Sequence, residues 1–439
     1  MAFADGSIVV VAIPKMREAL AASLAQMQWV SNGYTLILSA FLLLGGAAGD
    51  RYGLRRVYAL GIGLFALASL GCALSANALQ LIGARAVQGL GGAMMVPGSL
   101  ALLSAHFPPQ ERGRAIGAWA AATSIAAAFG PLLGGWLIDH APWQAIFLIN
   151  LPLAALALAI VLYGIDDLPA GEARPMDWLG ALLAVSGLGA LALGLTLLGE
   201  PGALSAYAIG IALCGLALFA LFLAWEDFAK APMMPPRLFA RRQIAGVNAL
   251  TLLLYFALAG AIFFLPSTLI QADGWSAAEA GSIFLAFTAI LAVLSRHGGV
   301  IADRFGVRMP LTIGPAIAAA SLALFGPAVA NGSYWGAMIP AMLLLGLGMG
   351  ITVAPLSTAV MNGAPSGQSG VASAINNAVA RVAGLIAVAS LGAVAGDALG
   401  KGGREAALAG FSRVTLVCAA AAGLSAIVAF ALLRDETRE

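Results

Sequence analysis

Charged residues are scarce in this chain. Lys, Arg, Asp and Glu together make up 10% of the 439 residues, whereas 61% are hydrophobic and the mean hydropathy is +0.95. A soluble domain is about 45–50% apolar and about 25% charged, so this chain lacks the polar side chains that a water-facing surface needs. The shortage of charge therefore excludes an ordinary soluble protein and predicts an integral membrane protein.

Residue types that carry metal, redox or nucleotide chemistry are also few. The three cysteines lie in apolar segments without metal-ligand spacing, so we expect small buried side chains and no disulfide at Cys72, Cys214 or Cys418. The three histidines are scattered, and neither a zinc-protease motif nor a phosphate-binding P-loop occurs. The chain also has no basic-aromatic surface for nucleic acid and no nucleophile paired with a base. We therefore expect no metal, no cofactor, no nucleotide, no nucleic-acid partner and no enzymatic activity.

Apolar runs separated by charged or Gly/Pro-rich breaks predict fourteen membrane spans and an all-α fold. A spanning helix needs about 20 mostly apolar residues. The runs lie at residues 2–14, 28–48, 57–75, 78–103, 113–138, 143–164, 176–198, 204–225, 243–270, 279–301, 309–330, 334–361, 369–395 and 407–433. The first run is too short before Lys15 to cross the bilayer unaided. We expect that the sequence starts inside the first helix; the alternative is a short helix that its neighbours cover.

The loops between the spans carry the basic residues unevenly. If the amino terminus is inside the cell, most of the 22 Lys and Arg residues fall in cytoplasmic loops, as the positive-inside rule requires. We therefore expect both termini to be cytoplasmic. The location would be the plasma membrane, which in a bacterium is the inner membrane, and we expect a multi-pass monomer.

Two stretches of sequence recur at a nearly constant spacing. GDRYGLRR, at Gly49 to Arg56, shares the pattern Asp-Arg-aromatic-Gly-x-Arg with ADRFGVR, at Ala302 to Arg308. QGLGGAMMVP, at Gln88 to Pro97, is echoed by LGLGMGITVAP, at Leu345 to Pro355. In both halves the charged loop follows the second helix and the Gly-rich stretch lies in the fourth, which is the signature of an internal repeat.

The repeat predicts two parallel six-helix bundles, at residues 1–165 and 241–439. Helices 7 and 8 are then a pair inserted between them, at residues 166–240 with their linkers. Parallel repeats in a membrane are typical of transporters that rock two halves about a central site.

Five stretches have the form of known transporter motifs: ADGSIVVVAIP in helix 1, GDRYGLRR after helix 2, LIGARAVQGLGGAMMVPGS in helix 4, FGPLLGG in helix 5 and INNAVARVAG in helix 13. Through them the chain resembles the fourteen-helix drug/proton antiporter branch of the major facilitator superfamily. FGPLLGG, at Phe129 to Gly135, is similar to the antiporter motif of that branch. Several positions depart from the family pattern. Ala126 replaces a glycine of helix 5, and Gln144 replaces an arginine at the start of helix 6. In the helix 1 motif, Ser7 replaces a threonine and Val10 replaces an asparagine.

The resemblance implies the major facilitator fold and a secondary active transporter. Such a protein would export amphipathic or cationic organic compounds, such as drugs, in exchange for protons by alternating access. Its partners would be a small-molecule substrate, protons and the lipid bilayer. Three alternatives stay open: a dedicated exporter of one metabolite, a proton-coupled importer, which the helix 5 motif disfavours, and a receptor or scaffold that does not transport.

The two charged loops are predicted to form a gate on the cytoplasmic side. Their glycines permit tight turns between helices, and their aspartates, at helix ends, can pair with arginines across the interface between the halves. Exposed ion pairs are worth about 0.2–1 kcal/mol each, which suits contacts that open in every cycle. The family resemblance assigns the loops the same role; the alternative is that they only set topology. The gate residues are Asp50, Arg51, Gly53, Arg55, Arg56, Asp303, Arg304, Gly306 and Arg308.

Ionisable residues inside the spans are functional candidates, because each costs about 2.5–3.5 kcal/mol to insert. Burial disfavours the charged form of a carboxylate, so Asp5 in helix 1 is predicted to bind and release protons. If the chain instead starts at the cytoplasmic end of that helix, Asp5 is a solvated, structural carboxylate. Arg85 cannot lose its proton but can influence a nearby acid. The resemblance implicates Arg85 in proton coupling; the alternative is a hydrogen-bond anchor between helices.

Polar side chains on helices 4 and 13 are candidates for the substrate cavity. Gln88 lies one turn beyond Arg85 on the same helix, and Asn377 and Arg381 share a face of helix 13 because they are four residues apart. With Asn376, these side chains are predicted either to line the cavity or to join neighbouring helices.

The helix 5 motif combines a helix breaker with small residues. Gly130-Pro131 interrupts the hydrogen-bond ladder of the helix, and Gly130 and Gly134 form a small-xxx-small face for close packing. The resemblance implies that Gly130, Pro131, Gly134 and Gly135 make up the antiporter motif.

Overall fold

The computed structural model describes residues 1–166, 176–200, 205–229, 232–295, 304, 306–365, 368–396 and 403–434, and most of these residues are helical. Fourteen long helices and one short 3₁₀ helix, Pro236–Ala240, occur in these parts, and no strand. The long helices are α1 (Ala2–Ala19), α2 (Leu24–Tyr52), α3 (Leu54–Ala73), α4 (Ala78–His106), α5 (Pro109–His140), α6 (Ala145–Gly164), α7 (Trp178–Leu197), α8 (Ser205–Phe228), α9 (Arg242–Asp273), α10 (Ala277–Ser295), α11 (Arg308–Asn331), α12 (Tyr334–Gly363), α13 (Ser369–Ala395) and α14 (Gly403–Leu432).

Each predicted span coincides with one helix, so the all-α membrane fold is confirmed. By length and composition, 12 helices of the described chain, α2–α4 and α6–α14, can cross a membrane. Residues 296–301, the end of the predicted tenth span, lie outside the described residues.

The first helix extends further than its apolar run predicts. α1 passes through Pro14 and has 18 residues, which is a length of about 27 Å at 1.5 Å per residue. Lys15 does not end the helix, because its ammonium group lies at the exposed end, 3.6 Å from the carboxylate of Glu18. The chain turns only at Ala21, which has a positive φ of 46°. The helix therefore runs to Ala19, beyond the apolar run that ends at residue 14.

The chain divides into two compact units. The first comprises Met1–Gly194 and Ile209–Met233, and the second comprises Leu195–Ala208 and Met234–Glu439. The first unit thus holds α1–α6 with most of α7 and α8, and the second holds α9–α14. The treatment of α7 and α8 as a separate inserted region stays a prediction.

The Gly-rich stretch of α4 brings helix backbones together in the first unit. A Cβ atom on Gly89 would lie 2.5 Å from the carbonyl oxygen of Tyr34 in α2. A Cβ atom on Gly91 would lie 2.7 Å from the amide nitrogen of Phe65 in α3. These distances leave no room for a side chain, so glycine at both positions lets α4 pack directly against its two neighbours.

The same contacts recur in the second unit. A Cβ atom on Gly346 would lie 2.6 Å from the carbonyl oxygen of Phe287 in α10, and one on Gly348 would lie 2.7 Å from the amide nitrogen of Ala318 in α11. The two glycines follow their counterparts in α4 by 257 residues, and their backbone partners follow theirs by 253 residues. The repeat in the sequence is therefore also a repeat in helix packing.

Candidate functional site

Asp5 is the centre of a group of polar side chains buried in the first unit. Asp5 is 1% exposed, and its carboxylate accepts hydrogen bonds from side chains of two other helices. Oδ2 accepts from Nη1 of Arg85, with which it forms an ion pair. Oδ1 accepts from Nε2 of Gln88 at 3.0 Å and from Nδ2 of Asn150 at 3.0 Å. The carboxylate is therefore held by one charged donor and two neutral donors.

Arg85 is buried as deeply as its partner. Its Nη1 also donates to Oε1 of Gln88 at 2.5 Å, and its Nε donates to the carbonyl oxygen of Val30 in α2 at 3.1 Å. The guanidinium carbon lies 4.3 Å from the centre of the Tyr34 ring, which is a cation–π contact. Because both side chains are only 1% exposed, removal of one partner leaves the other uncompensated, at a cost of about 3–5 kcal/mol.

Ser69 joins the two amides of the group, Gln88 and Asn150. Its hydroxyl oxygen, on α3, accepts from Nε2 of Gln88 at 2.8 Å and from Nδ2 of Asn150 at 3.3 Å. Helices α1, α3, α4 and α6 thus contribute one buried polar cluster, which consists of Asp5, Ser69, Arg85, Gln88 and Asn150.

Three members of the buried polar cluster were identified from the sequence as candidates for proton coupling or for the substrate cavity. The structure brings Asp5, Arg85 and Gln88 into contact, although 80 positions separate Asp5 from Arg85 along the chain. Ser69 and Asn150 are absent from the sequence candidates. Asn150 does carry a signal, because it is an amide inside the apolar run of α6, and polar residues within spans are functional candidates. A role of the cluster in proton coupling stays a prediction.

The glycines of the predicted antiporter motif pack α5 against α1 beside the cluster. A Cβ atom on Gly130 would lie 2.1 Å from Oγ of Ser7, and one on Gly134 would lie 3.1 Å from Cα of Ile8. The other two motif residues, Pro131 and Gly135, are buried in the same helix. The motif therefore determines how closely the segment of α1 that follows Asp5 can approach α5.

The candidates on α13 have different surroundings. Nδ2 of Asn376 donates to Oδ1 of Asn248 at 3.2 Å and to Oγ1 of Thr251 at 2.8 Å, so Asn376 joins α13 to α9. Asn377 is exposed and donates to a backbone carbonyl of its own helix, and Arg381 is half-buried. Of the three, Asn376 has the contacts expected of a helix-joining residue.

Both charged loops contain a glycine in the left-handed region. Gly53, between α2 and α3, has a φ of 97°, and Gly306, before α11, has a φ of 73°, a conformation that favours glycine over other residues. The exposed gate candidates are Asp50, Arg51, Arg56 and Arg304. Asp303 lies outside the described residues, and a gate between the halves stays a prediction.

One arginine of each loop binds the sixth helix of its own unit. Arg55 donates through Nε to the carbonyl oxygen of Val161 at 3.1 Å and through Nη2 to that of Leu162 at 2.5 Å, near the C-terminal end of α6. Arg308, its counterpart in the repeat, donates through Nε to the carbonyl oxygen of Phe430 at 3.0 Å, near the C-terminal end of α14. A cation in this position satisfies free carbonyl groups and interacts favourably with the helix dipole. The sequence did not indicate this structural role.

A match to a family model agrees with this architecture. The model described as Major Facilitator Superfamily matches residues 1–388 and, in a second match, residues 251–439. The chain belongs to the Major Facilitator Superfamily. The resemblance inferred from the motifs is thereby confirmed, and this major facilitator protein is a multi-pass membrane transporter and not an enzyme.

Members of the superfamily with assigned names are similar over most of the chain. The methylenomycin A resistance protein of Bacillus subtilis is 35% identical over 396 residues, which are 90% of this chain and 84% of that protein. The tetracenomycin C resistance and export protein of Streptomyces glaucescens is 32% identical, with coverage of 90% and 74%. The multidrug resistance protein Stp of Mycobacterium tuberculosis is 33% identical, with coverage of 90% and 73%.

Solved structures of the superfamily share the fold. A D-xylose–proton symporter matches with a TM-score of 0.67 at 14% identity, over 99% of this chain and 95% of that one. The nucleoside transporter NupG matches with a TM-score of 0.69, also at 14% identity, over 99% and 98%. At this level of identity the likeness shows the major facilitator fold alone.

Proposed function

We propose that this major facilitator transporter exports small organic drugs or antibiotics from a bacterial cell in exchange for protons. Its relatives are named for resistance to, or export of, methylenomycin A and tetracenomycin C, and another is named a multidrug resistance protein. The single observation that carries the proton exchange is the buried ion pair between Asp5 and Arg85. Amphipathic or cationic compounds are the substrates that we expect.

The ion pair couples protonation to the position of helices. Ionised Asp5 and Arg85 tolerate burial together because their charges compensate each other. Protonation of Asp5 removes one charge, whereas the guanidinium group of Arg85 keeps its own throughout the physiological range. The uncompensated cation then favours a conformation in which it reaches water or another anion, so protonation shifts the population between two arrangements of α1 and α4.

The remaining assignments follow from the orientation of the chain. The transporter works as a single chain in the inner membrane with both termini in the cytoplasm, which the positive-inside distribution of Lys and Arg supports. The two charged loops then lie on the cytoplasmic side and form the gate. On α13, exposed Asn377 and half-buried Arg381 are the proposed substrate contacts.

Transport by purified protein in lipid vesicles tests the proposal. A panel of fluorescent cationic dyes and antibiotics is offered with and without an imposed pH difference, to the wild type and to Asp5→Asn. We expect uphill movement of several compounds in the wild type only when the pH difference is present, and none in Asp5→Asn. Uphill transport that survives abolition of the pH difference, or that Asp5→Asn leaves unchanged, would contradict proton exchange. Movement of a single compound would point to a dedicated exporter.

A further inference from the structure

Asn150 and Ser69 belong to none of the sequence motifs, yet they complete the surroundings of Asp5. We propose that Asn150 is a positioning residue for proton exchange: held in place by Ser69, its amide determines how readily Asp5 takes up a proton. This role rests on the proposed function of Asp5 as the proton-binding carboxylate.

The two amides of the cluster are oriented by the same pair of acceptors. Nδ2 of Asn150 lies 3.0 Å from Oδ1 of Asp5 and 3.3 Å from Oγ of Ser69. Nε2 of Gln88 lies 3.0 Å and 2.8 Å from the same two oxygens. An amide nitrogen has two N–H donors, so each amide uses both of them here. The ionised carboxylate only accepts hydrogen bonds, so both amides turn their nitrogens towards it, and Ser69 accepts the second N–H of each.

The neutral donors act on a different oxygen from the arginine. Arg85 binds Oδ2 of Asp5, whereas Asn150 and Gln88 bind Oδ1. Gln88 lies on α4 with Arg85, whereas Asn150 lies on α6, so the bond from Asn150 to Oδ1 need not break when α4 moves in the transport cycle. Hydrogen bonds to the charged form of a group favour that form. Asn150, on α6, can thus keep Asp5 ionised independently of the position of Arg85 on α4.

Few other ionisable groups lie near Asp5. Arg85 approaches from α4, the thiol of Cys72 from α3 and the hydroxyl of Tyr34 from α2, and the amino group of Met1 lies on α1 itself. Where α5 packs on this segment of α1 it presents the glycines of its motif, and α6 presents Asn150. Gln88 and Asn150 are neutral, so a substitution of either amide can change how readily Asp5 is protonated without adding or removing a neighbouring charge.

The variant Asn150→Leu removes the donor and keeps the branching of the side chain, in which two terminal heavy atoms follow Cγ. Protonation of Asp5 is followed by infrared absorption of the protonated carboxyl group in detergent, with Asp5→Asn as the blank, and the pH dependence of transport is measured in vesicles. Loss of one hydrogen bond to a carboxylate is expected to raise the midpoint by about 1–2 pH units. Ser69→Ala is expected to raise it by less, because the amide keeps its bond to Asp5.

Asn32 provides the matched control. It is an amide on α2 of the same unit, 1% exposed, and its Nδ2 has no hydrogen-bond partner among the described residues. Asn150 is 3% exposed, so Asn32→Leu is the same substitution at similar burial without loss of a bond to Asp5. We expect it to keep the wild-type midpoint, and a shift as large as that of Asn150→Leu would overturn the specific role of Asn150.

The remaining outcomes separate this role from the proposed function. A folded Asn150→Leu variant that titrates like the wild type would overturn the role of Asn150 and leave the proposed function intact. A wild-type titration that is identical in Asp5→Asn would overturn the proposed function itself. If Asn150→Leu does not fold, the midpoint of Ser69→Ala decides, and an unchanged value there overturns the role.

Discussion

Asp5 and Arg85 depend on each other for their burial. Asp5→Asn leaves the guanidinium group without a counter-charge, and Arg85→Gln leaves the carboxylate with neutral donors only. We expect each single variant to lose stability, by about 3–5 kcal/mol where a charge is left uncompensated. The double variant Asp5→Asn/Arg85→Gln removes both charges and is expected to be more stable than either single variant, while it exchanges no protons. Thermal unfolding in detergent and proton release on substrate addition measure the two effects.

The double variant also provides the counter-test. If the losses of the two single variants add in the double variant, the two side chains do not interact. Ionic stabilisation in the cluster would then be refuted, and Arg85 would be the anchor between helices that the sequence left as an alternative.

A Cβ atom added at Gly130 would lie closest to a side-chain atom, Oγ of Ser7. The contact can therefore be tested with a second substitution that removes this atom. Gly130→Ala is expected to lower proton-coupled transport, because the added Cβ atom would lie 2.1 Å from Oγ of Ser7 and would displace α1. Adding Ser7→Ala removes that oxygen, so the double variant is expected to recover part of the transport rate. Recovery stays partial because the carbonyl oxygen of Ala4 would still lie 3.2 Å from the new atom.

Gly6, next to Asp5, provides a control for the loss of a flexible glycine from a helix. It separates that effect from the effect of the new contact at Gly130. A Cβ atom on Gly6 would have no atom within 4 Å, so Gly6→Ala changes the chain without a new contact. We expect transport by Gly6→Ala to match the wild type. An equal loss in Gly6→Ala and Gly130→Ala would show that close packing of α5 on α1 is not the reason for the glycine in the motif.

At the scale of whole helices, the arginines of the charged loops hold helix ends. Arg55 binds the last turn of α6, whereas the last turn of α14 is bound by Arg308 and also by Arg242, whose Nη2 lies 2.6 Å from the carbonyl oxygen of Ala431. We expect Arg55→Ala to accelerate backbone hydrogen exchange at residues 161–164. Arg308→Ala is expected to have a smaller effect on α14, because Arg242 remains.

An exposed arginine of the same loop is the control for this exchange experiment. Arg51 lies over the ring of Tyr52 at 5.5 Å, so Arg51→Ala is expected to leave both helix ends unchanged. The double variant Arg242→Ala/Arg308→Ala is expected to affect α14 as strongly as Arg55→Ala affects α6. Exchange at residues 161–164 that is the same in Arg55→Ala and the wild type would refute the stabilising role of Arg55.

The orientation in the membrane is a property of the whole molecule. The positive-inside distribution predicts that a cysteine at Arg56→Cys reacts with an impermeant maleimide only from the cytoplasm. A cysteine at Lys15→Cys, where the side chain is 56% exposed, is expected to react only from outside. The background for both is Cys214→Ser, because Cys214 is exposed whereas Cys72 and Cys418 are buried. The reverse pattern of labelling would place both termini outside the cell.

The number of helices and the all-α fold of the whole molecule could be predicted because they depend on the local composition of the chain. Whether a stretch of about 20 residues crosses a bilayer is decided mainly by its own apolar content. The apolar run ends before Lys15, whereas α1 continues to Ala19 and the chain turns at Ala21. The glycines at 257-residue spacing were visible as a repeat, but their partners in the neighbouring helices were not.

The sequence by itself determined that this is a helical membrane protein with an internal repeat, and its motifs indicated the family. Each of these follows from residues close together in the chain or from likeness between two segments. Only the tertiary structure decided which polar side chains meet. Asn150 lies 145 positions from Asp5, and Ser69 lies 81 positions from Asn150. Their contact depends on how each helix is rotated about its axis and on how closely glycines let the helices approach, and no local pattern contains that information.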